Sequence, residues 1–344
     1  MERLLYNLAT DKYRGFLPGC AKGFLWVLSG IYGAAVLALA WSGRLRQVRF
    51  TSRVISVGNV TVGGTGKTTL VRFLAGHLKQ QGHRVAIVTR GYRRLAGSMG
   101  DEPQMLAQNL TLPVIVNPDR ARGIRRAQEK EGADTVILDD GFQQWKIRKD
   151  LDIVAIDATN PFGNRRLLPR GIMREPFSSL ARADIFVLTK GNLASDTQGL
   201  KGVLHSINPK AVIVEGAHTP VGFYALDRPG ELLPVDACKG KRVGVFSGIG
   251  DPVSFEQLLA GLGAAIGFTL RFPDHHQYTA PDAGRIRTQC AEQRLDTVVT
   301  TEKDAVRAAP LTDCGVRVLV LRIEFTITGN GQGFFDRLYG IYSR

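Results

Sequence analysis

Short apolar runs rich in β-branched residues recur along the chain after residue 50, and segments with helical periodicity separate them. Runs that are apolar on both faces and alternate with helices are typical of a mainly parallel sheet covered by helices. The pattern therefore predicts the α/β class, with a first domain over residues 46–210. In this part, the predicted strands are 54–57, 85–89, 114–117, 135–139, 153–157 and 185–189.

A second series of the same kind follows and predicts a smaller α/β domain over residues 227–344. Between the two series, residues 211–215 and 223–226 are expected to form a hairpin or hinge around Pro220, so that 211–226 links the domains. The predicted strands of the second series are 242–246, 265–270, 297–300 and 316–323.

The N-terminal segment, residues 1–45, differs from both series because residues 23–41 carry no charge and basic residues flank them. A run of this length can span a bilayer, lie in its interface, form a buried core helix or act as a signal peptide. Trp26, Tyr32 and Trp41 suit an interfacial belt, and Lys22, Arg44 and the following arginines suit anionic lipid. We expect a membrane-associated helix, with interfacial anchoring slightly ahead of spanning.

Composition narrows the class of partner. Lys and Arg exceed Asp and Glu by 45 − 31, a net charge of +14, which favours an anionic partner such as a nucleotide, a nucleic acid or a phospholipid. The four cysteines, Cys20, Cys238, Cys290 and Cys314, form no C-x-x-C pair. Neither a zinc ribbon nor a disulfide framework is indicated, and a reducing, cytosolic setting fits best.

A glycine-rich loop between the first strand and a predicted helix carries the strongest chemical signal. The sequence VGNVTVGGTGKTT, residues 57–69, matches the phosphate-binding pattern G-x-x-x-x-G-K-[ST], except that Thr61 replaces the first glycine. Backbone N–H groups of such a loop bind phosphate, Lys67 would bind the β and γ phosphates of ATP, and Thr68 would hold Mg²⁺. The predicted nucleotide-binding residues are Thr61, Val62, Gly63, Gly64, Thr65, Gly66, Lys67, Thr68 and Thr69.

A metal ion at this loop also needs a carboxylate at the end of a neighbouring strand. Asp139 and Asp140 follow the apolar run 135–138, and Asp139 is the predicted Mg²⁺ ligand, directly or through water. The alternative is that the two acids only cap the strand.

Transfer of a phosphoryl group to a hydroxyl needs a group that accepts the hydroxyl proton. Asp101 and Glu102, at the start of a probable helix, and the segment PDHHQY at 273–278 are candidates. An Asp paired with a His would form a base suited to neutral pH. From the residues alone, the acids could equally be helix N-terminal charges and the histidines a polar loop.

Taken together, seven segments resemble the tetraacyldisaccharide 4′-kinase family. They occur in family order and extend over residues 56–306, and the apolar N-terminal segment agrees with them. The segments are SVGNVTVGGTGKT (56–68), GDEP (100–103), LDDGFQ (138–143), LPRG (168–171), REP (174–176), PDHHQY (273–278) and TTEKDAV (300–306).

This resemblance implies transfer of the ATP γ-phosphate to the 4′-hydroxyl of a tetraacylated glucosamine disaccharide 1-phosphate, a precursor of lipid A. It implies an acylated disaccharide lipid as partner, on the cytoplasmic face of a bacterial inner membrane. Asp101 would then be the general base, assisted by His275 rather than His276, with Glu102 nearby.

The resemblance also assigns positioning residues around the nucleotide. Asp140 and Gln143 would position metal and substrate, and Arg174, from the cluster of Arg165, Arg166 and Arg170, would contact substrate or nucleotide. The segment 301–304 would lie near the cleft, with nucleotide contact and interdomain bracing both open.

Three other classes compete with a lipid kinase. A membrane-associated regulatory ATPase has a lysine where this loop has Val62, and a guanine-nucleotide switch needs an Asn-Lys-x-Asp pattern that the segment 187–192 lacks. A nucleic-acid binder would explain the charge, but no recognition motif is evident, so we expect an anionic membrane surface and no nucleic acid as partner. The sequence does not indicate an oligomeric state.

Overall fold

In the computed structural model, residues 16–91, 103, 105, 106, 110–194, 196–312 and 315–343 are described. The chain divides into two compact units. The first unit comprises Met1–Arg90, Leu112–Ala217 and Phe325–Arg344, and the second comprises Gly91–Thr111 and His218–Glu324.

Helices and strands alternate through most of the chain, as the apolar pattern predicts. In chain order the strands are β1 (Arg53–Gly58), β2 (Val85–Thr89), β3 (Val114–Val116), β4 (Thr135–Asp139), β5 (Leu151–Asp157), β6 (Ile185–Thr189), β7 (Val212–Ala225), β8 (Arg228–Leu233), β9 (Arg242–Ser247), β10 (Ala265–Arg271), β11 (Thr297–Thr301) and β12 (Arg317–Gly329). The α-helices are α1 (Phe16–Leu45), α2 (Lys67–Gln80), α3 (Arg120–Glu131), α4 (Thr197–Ile207), α5 (Pro252–Gly261), α6 (Ala280–Gln293), α7 (Glu302–Ala305) and α8 (Gly331–Tyr339).

The first unit is built on a parallel sheet in the order β3-β2-β4-β1-β5-β6-β7. Every residue of β2, β4 and β6 is buried, which explains why these strands are apolar on both faces. Helix α3 begins where the Asp119 carboxylate accepts hydrogen bonds from the backbone N–H groups of Ala121 and Arg122, and it ends at Gly132 in the left-handed conformation. The predicted parallel, helix-covered sheet is confirmed.

The second unit has its own parallel strands, in the order β10-β9-β11-β12, and β8 pairs antiparallel to the second half of β7. Two apolar clusters form its core, one around Phe223 and Val245 and one around Phe246 and Ile286. Cys238 and Cys290 are buried in this unit.

Two features of the fold differ from the prediction. Of the hairpin or hinge predicted at 211–226, the hairpin does not form, because Val212–Ala225 is one strand, and the chain passes from the first unit to the second within it. The predicted domain ranges place the C-terminal segment in the second domain, whereas Phe325–Arg344 belongs to the first unit. Aromatic packing explains this, since Phe334 and Phe325 lie against Phe73 of α2 at centroid distances of 6.2 and 5.5 Å.

Candidate active site

The phosphate loop connects β1 to α2 at the carboxyl edge of the parallel sheet. Gly63 and Gly66 have φ angles of 129° and 75°, a conformation that side chains rarely adopt. Among the residues that the structure describes, and apart from the chain neighbours of each glycine, no atom lies within 4 Å of where a Cβ would stand on Gly63 or Gly64, so these residues leave that side of the loop open. Because α2 begins at Lys67, with Gly66 as its N-cap, its unpaired N–H groups are available to phosphate oxygens.

The first half of this loop is held by a distant segment that includes the LPRG and REP motifs. Val62 donates its N–H to the Ile172 carbonyl at 2.8 Å, and Arg174 donates its N–H to the Val60 carbonyl at 2.7 Å. Thr61 forms a bridge with Met173 and is 5% exposed. The pairing gives Thr61 an extended, buried position, which explains why a glycine is not needed there.

The second half of the loop is fastened to the strand end of β6. The Thr189 hydroxyl donates to the Thr65 carbonyl at 3.1 Å, and the Thr69 hydroxyl donates to the Gly66 carbonyl at 2.8 Å. Thr69 therefore stabilises the first turn of α2. Thr68, one residue earlier, is the metal-binding hydroxyl of the pattern.

Asp139 lies beside the phosphate loop because its strand is a neighbour of the strand that leads into the loop. In the parallel register, Asp139 is opposite Val57 of β1. Asp139 is 4% exposed, and its Oδ2 accepts a hydrogen bond from the Thr89 hydroxyl at 3.2 Å. Thr89 thus helps to orient the predicted metal ligand.

Asp140 links the phosphate loop to Arg174. Arg174 donates from Nη1 to Oδ1 at 2.8 Å and from Nη2 to Oδ2 at 3.1 Å, and Lys67 Nζ lies 3.7 Å from the same Oδ1. Burial alone would raise the pKa of Asp140, but the Arg174 hydrogen bonds and the charges of Lys67, Arg174 and Arg120 hold this pKa below its usual value. Asp140 is therefore a carboxylate flanked by two cations.

Gln143 lies in a hydrogen-bonded group behind this ion pair. Its amide nitrogen donates to the Asn59 carbonyl at 3.0 Å and to Glu175 Oε1 at 3.0 Å. Glu175 is 1% exposed and forms an ion pair with Arg182 at 3.0 Å. Gln143 therefore connects the start of the phosphate loop to the segment that carries Arg174.

Four residues of this site carried no individual assignment from the sequence: Asn59, Arg120, Glu175 and Arg182. Arg120 is 3% exposed, donates to the Asp139 carbonyl at 3.3 Å, and has a pKa lowered by burial. Asn59 Oδ1 accepts from Arg174 Nη1 at 3.2 Å. Asn59 and Glu175 stand inside the matched motifs, so the motifs could have pointed to them, whereas Arg120 follows a short strand without any motif.

Helix α1 contacts the segment that holds the phosphate loop. The Ser29 hydroxyl donates to the Leu167 carbonyl at 2.8 Å, and the Tyr32 hydroxyl donates to the Arg174 carbonyl at 3.0 Å. Burial raises the pKa of Tyr32. The other side of the helix is apolar and exposed. By length and composition, the helix could cross a membrane.

The second unit contains the PDHHQY loop, which follows β10. His276 Nε2 lies 2.9 Å from Asp282 Oδ2, and its ring stacks on Phe272 at 4.7 Å. His275 has a φ angle of 63°, and its Nε2 lies 3.5 Å from Lys303 Nζ and 3.8 Å from Asp274 Oδ2. The two histidines therefore have different environments.

Asp101 and Glu102, the predicted base and its neighbour, lie outside the described residues. The pairing of Asp101 with His275 stays a prediction. Lys67, Asp139, Asp140, Gln143 and Arg174 are all in the first unit and converge on the phosphate loop, as described above.

Comparison with known proteins agrees with the motifs. The family model for tetraacyldisaccharide-1-P 4′-kinase matches residues 21–340. A tetraacyldisaccharide 4′-kinase of Halothermothrix orenii is 35% identical over 366 aligned positions, which cover 96% of this chain and 95% of that protein. A second, from Syntrophus aciditrophicus, is 39% identical over 313 positions and covers 82% of each.

Among solved structures, the "apo" form of LpxK from Aquifex aeolicus in complex with ATP is similar to this chain, with a TM-score of 0.74 and 29% identity. The match covers 94% of this chain and 99% of that one. The family resemblance predicted from the motifs is thus confirmed by sequence and by fold. This chain belongs to the tetraacyldisaccharide-1-P 4′-kinase family.

Proposed function

We propose that this chain transfers the γ-phosphate of ATP to the 4′-hydroxyl of a tetraacylated glucosamine disaccharide 1-phosphate. As a member of its family the chain is an ATP-dependent kinase. The observation that carries the proposed reaction is the convergence of Lys67 and Arg174 on Asp140, beside a phosphate loop that is open at Gly63 and Gly64. Two cations and a set of backbone N–H groups can neutralise a triphosphate at this point.

Lys67 Nζ lies 3.7 Å from Asp140 Oδ1. An ammonium group on a flexible stem can turn from this carboxylate to the β and γ phosphate oxygens when ATP binds. Arg174 would keep Asp140 in place during the exchange, because its two hydrogen bonds fix the carboxylate plane. Arg174 would therefore keep the acidic side of the phosphate loop organised while Lys67 moves to the phosphates.

The residues at the carboxyl ends of β1 and β4 fit a magnesium ion. Mg²⁺ prefers hard oxygen ligands and is usually held by one or two carboxylates together with phosphate oxygens and water. The Thr68 hydroxyl and the Asp139 carboxylate would hold it, and the ion would supply charge neutralisation to the phosphates. Thr89, which donates to Asp139 at 3.2 Å, would orient that carboxylate.

Proton transfer is assigned to Asp101 with His275, which rests on the family resemblance. The carboxylate would take the proton of the acceptor hydroxyl as the new oxygen–phosphorus bond forms. The bond from the γ-phosphorus to the bridging oxygen would break, and ADP would leave with that bond's electrons. The contacts of His276 with Asp282 and Phe272 support His275 as the partner, because His276 already serves the structure of its own loop.

Helix α1 supports a location on the membrane surface. Its buried positions, Leu25, Ser29, Val36 and Ala40, form one stripe along the helix. These positions extend over ~22 Å at 1.5 Å per residue, so the helix packs against protein along most of the length that a bilayer core would require. An interfacial helix fits this better than a spanning one, and we assign the enzyme to the cytoplasmic face of a bacterial inner membrane, where ATP is available.

The experiment is an assay of ATP consumption with and without a tetraacylated disaccharide 1-phosphate. We expect turnover that requires the acceptor and yields a lipid phosphorylated at the 4′ position. Lys67→Ala should lower kcat by at least ~100-fold, since it removes transition-state charge stabilisation, while Lys79→Ala, on the exposed end of the same helix, should leave it unchanged. Acceptor-independent hydrolysis would instead support a regulatory ATPase, and full activity of Lys67→Ala would exclude this loop as the active site.

A further inference from the structure

The TTEKDAV motif had no assigned task from the sequence, and its contacts within the second unit suggest one. Asp304 is fully buried and accepts hydrogen bonds on Oδ1 from the Gly248 N–H at 2.9 Å and the Tyr278 hydroxyl at 3.0 Å. Gly248 in turn accepts the His275 N–H on its carbonyl at 3.1 Å. Asp304 therefore holds the PDHHQY loop at two points, directly at Tyr278 and through Gly248 at His275.

Helix α7, which carries Asp304, is itself firmly attached. Asp304 Oδ2 accepts from the Thr301 hydroxyl at 2.7 Å, and Asp304 Oδ1 accepts from Arg307 Nη2 at 2.7 Å. Arg307 also donates to the Gly248 carbonyl at 3.2 Å and is 5% exposed. Charge-assisted hydrogen bonds in a buried setting are strong, so the helix and the His275 loop are fixed relative to each other.

Lys303 stands next to Asp304 on this short helix and contacts the His275 ring. Its Nζ lies 3.3 Å from Asp274 Oδ1 and 3.5 Å from His275 Nε2. His275 Nε2 lies closer to this ammonium than to Asp274 Oδ2, which is 3.8 Å away. Because a lysine ammonium can only donate hydrogen bonds, the nearer contact favours Nε2 as the acceptor nitrogen. In a neutral imidazole the proton then resides on Nδ1.

We propose that Lys303 is a positioning residue that holds the His275 ring in the Nδ1–H tautomer and so presents Nδ1–H as a hydrogen-bond donor. This inference rests on the proposed role of His275 in proton transfer, because a carboxylate that accepts a proton needs a donor to orient it. Asp304 fixes the backbone of the loop and Lys303 fixes the ring. The TTEKDAV motif would thus assist proton transfer by positioning His275.

The competing explanation is that Lys303 only forms a surface ion pair with Asp274. Both side chains are partly exposed, at 26% and 45%, and pairs of this kind contribute little to stability. Asp274→Asn removes that ion pair together with the carboxylate oxygen that lies 3.8 Å from His275 Nε2, and it retains the Lys303 ammonium. It is therefore the matched control for Lys303→Met.

The first test is the tautomer of His275 in the full chain without ligands. With ¹⁵N-labelled histidine, the ring nitrogen shifts of the six histidines can be compared and His275 identified by its loss in His275→Ala. We expect the Nδ1–H tautomer in wild type, in Asp274→Asn and in Lys303→Arg, and a change of tautomer in Lys303→Met. An unchanged tautomer in Lys303→Met, or the same change in Asp274→Asn, would overturn the proposal.

The second test is kinetic. Lys303→Met should lower kcat by about tenfold, a fraction of what general base catalysis contributes, with no change in the KM for ATP and with the melting temperature retained. In the His275→Ala background, Lys303→Met should have no further effect, because both variants remove the same unit. Independent, multiplying losses would refute a role through His275.

These two readouts separate the inference from the proposed function. If His275→Ala retained full kcat, the assignment of His275 to proton transfer would fail, while the tautomer of the ring would still report whether Lys303 sets it. If His275→Ala were inactive but Lys303→Met left the tautomer as in wild type, only the role of Lys303 would be wrong.

Discussion

Arg174 and Asp140 form a two-point ion pair, with Nη1 to Oδ1 at 2.8 Å and Nη2 to Oδ2 at 3.1 Å. Lysine cannot reproduce this geometry, because its ammonium is a single point charge. Arg174→Lys should therefore release one carboxylate oxygen of Asp140 and the contact with Asn59. We expect kcat/KM to fall by roughly thirtyfold, the equivalent of about 2 kcal/mol for lost charge-assisted hydrogen bonds.

Steady-state kinetics with varied ATP measures this effect. Arg125→Lys, an exposed change on α3, is the control and should leave kcat/KM as in wild type. Full activity of Arg174→Lys would mean that the positive charge alone is sufficient and that the paired geometry is not used.

A second prediction concerns the buried ion pair between Lys149 and Asp152, whose side chains are 8% and 9% exposed and whose charged atoms are 2.9 Å apart. Burial lowers the pKa of Lys149 and raises that of Asp152, in each case against the influence of the partner's charge. Lys149→Met should lower the free energy of unfolding by about 3 kcal/mol, because it leaves a buried carboxyl without its partner.

Urea denaturation measures this change, and the exposed pair of Arg53 and Asp150 is the comparison. Its atoms are 3.4 Å apart and its side chains are about one-third exposed, so Arg53→Ala should cost no more than ~1 kcal/mol. Replacing both buried partners, as in Lys149→Met with Asp152→Leu, should recover part of the loss. Equal losses in the free energy of unfolding for Lys149→Met and Arg53→Ala would contradict this prediction.

The strands of the parallel sheet were predictable because each is a local apolar run. The run at residues 135–138 is followed by Asp139 and Asp140, and a parallel sheet brings strand ends to one edge, so the acidic end of β4 could be placed near the phosphate loop in advance. The register of Val57 with Asp139 agrees with that expectation. For this strand, the local sequence pattern was sufficient to predict where its acidic end lies in the sheet.

The group around Arg174 could not be derived from spacing, because its members are far apart in the chain. Asn59, Asp140 and Arg174 meet only after the segment at 172–174 pairs with the phosphate loop. The motif resemblance marked these segments without stating which atoms meet. Arg120 lies in none of these motifs. Its place in the site is evident only from its burial and its hydrogen bond to the Asp139 carbonyl.

Pro220 shows why a local turn signal can mislead. Proline lacks the N–H that a strand ladder uses, and it usually marks an edge or a turn. In β7 it lies between residues 212–215, which pair with β6, and residues 223–225, which pair with β8. Neither of these two pairings includes Pro220, so its missing N–H removes no hydrogen bond from them.

A third prediction concerns the alkaline stability of the first unit. The Tyr342 hydroxyl lies 3.0 Å from the Thr135 hydroxyl, and its ring stacks on His83 at 4.1 Å. Burial raises the pKa of Tyr342 to about 12, above the value of about 10 for an unfolded tyrosine. The neutral phenol therefore stabilises the folded state below pH 10, and this contribution disappears as the pH rises from 10 toward 12.

Urea midpoints of wild type and Tyr342→Phe at several pH values measure this contribution. The difference between the two proteins should be constant up to about pH 9 and should shrink toward pH 11. Phenylalanine keeps the ring stack and has no ionisable hydroxyl, so the comparison isolates the titration. A difference independent of pH would show that Tyr342 does not titrate between the two states.

The last prediction concerns the exposed side of α1, where large apolar side chains face away from the protein. Phe24, Trp26, Ile31 and Trp41 are 59–68% exposed, whereas Val36 is 7% exposed on the opposite side. If this side enters the membrane interface, Ile31→Ser combined with Trp41→Ser should weaken binding to vesicles by at least ~10-fold. Each large side chain contributes about 1.5–3 kcal/mol when it leaves water.

Sedimentation with vesicles that contain phosphatidylglycerol measures this binding, and Val36→Ala is the matched control on the same helix. The control should lower the melting temperature through lost packing and should leave vesicle binding intact. The double serine variant should weaken vesicle binding and retain the melting temperature. This reciprocal result is required because the two sides of the helix contact different partners. A double serine variant that binds vesicles as tightly as wild type would rule out the apolar side of α1 as the membrane contact.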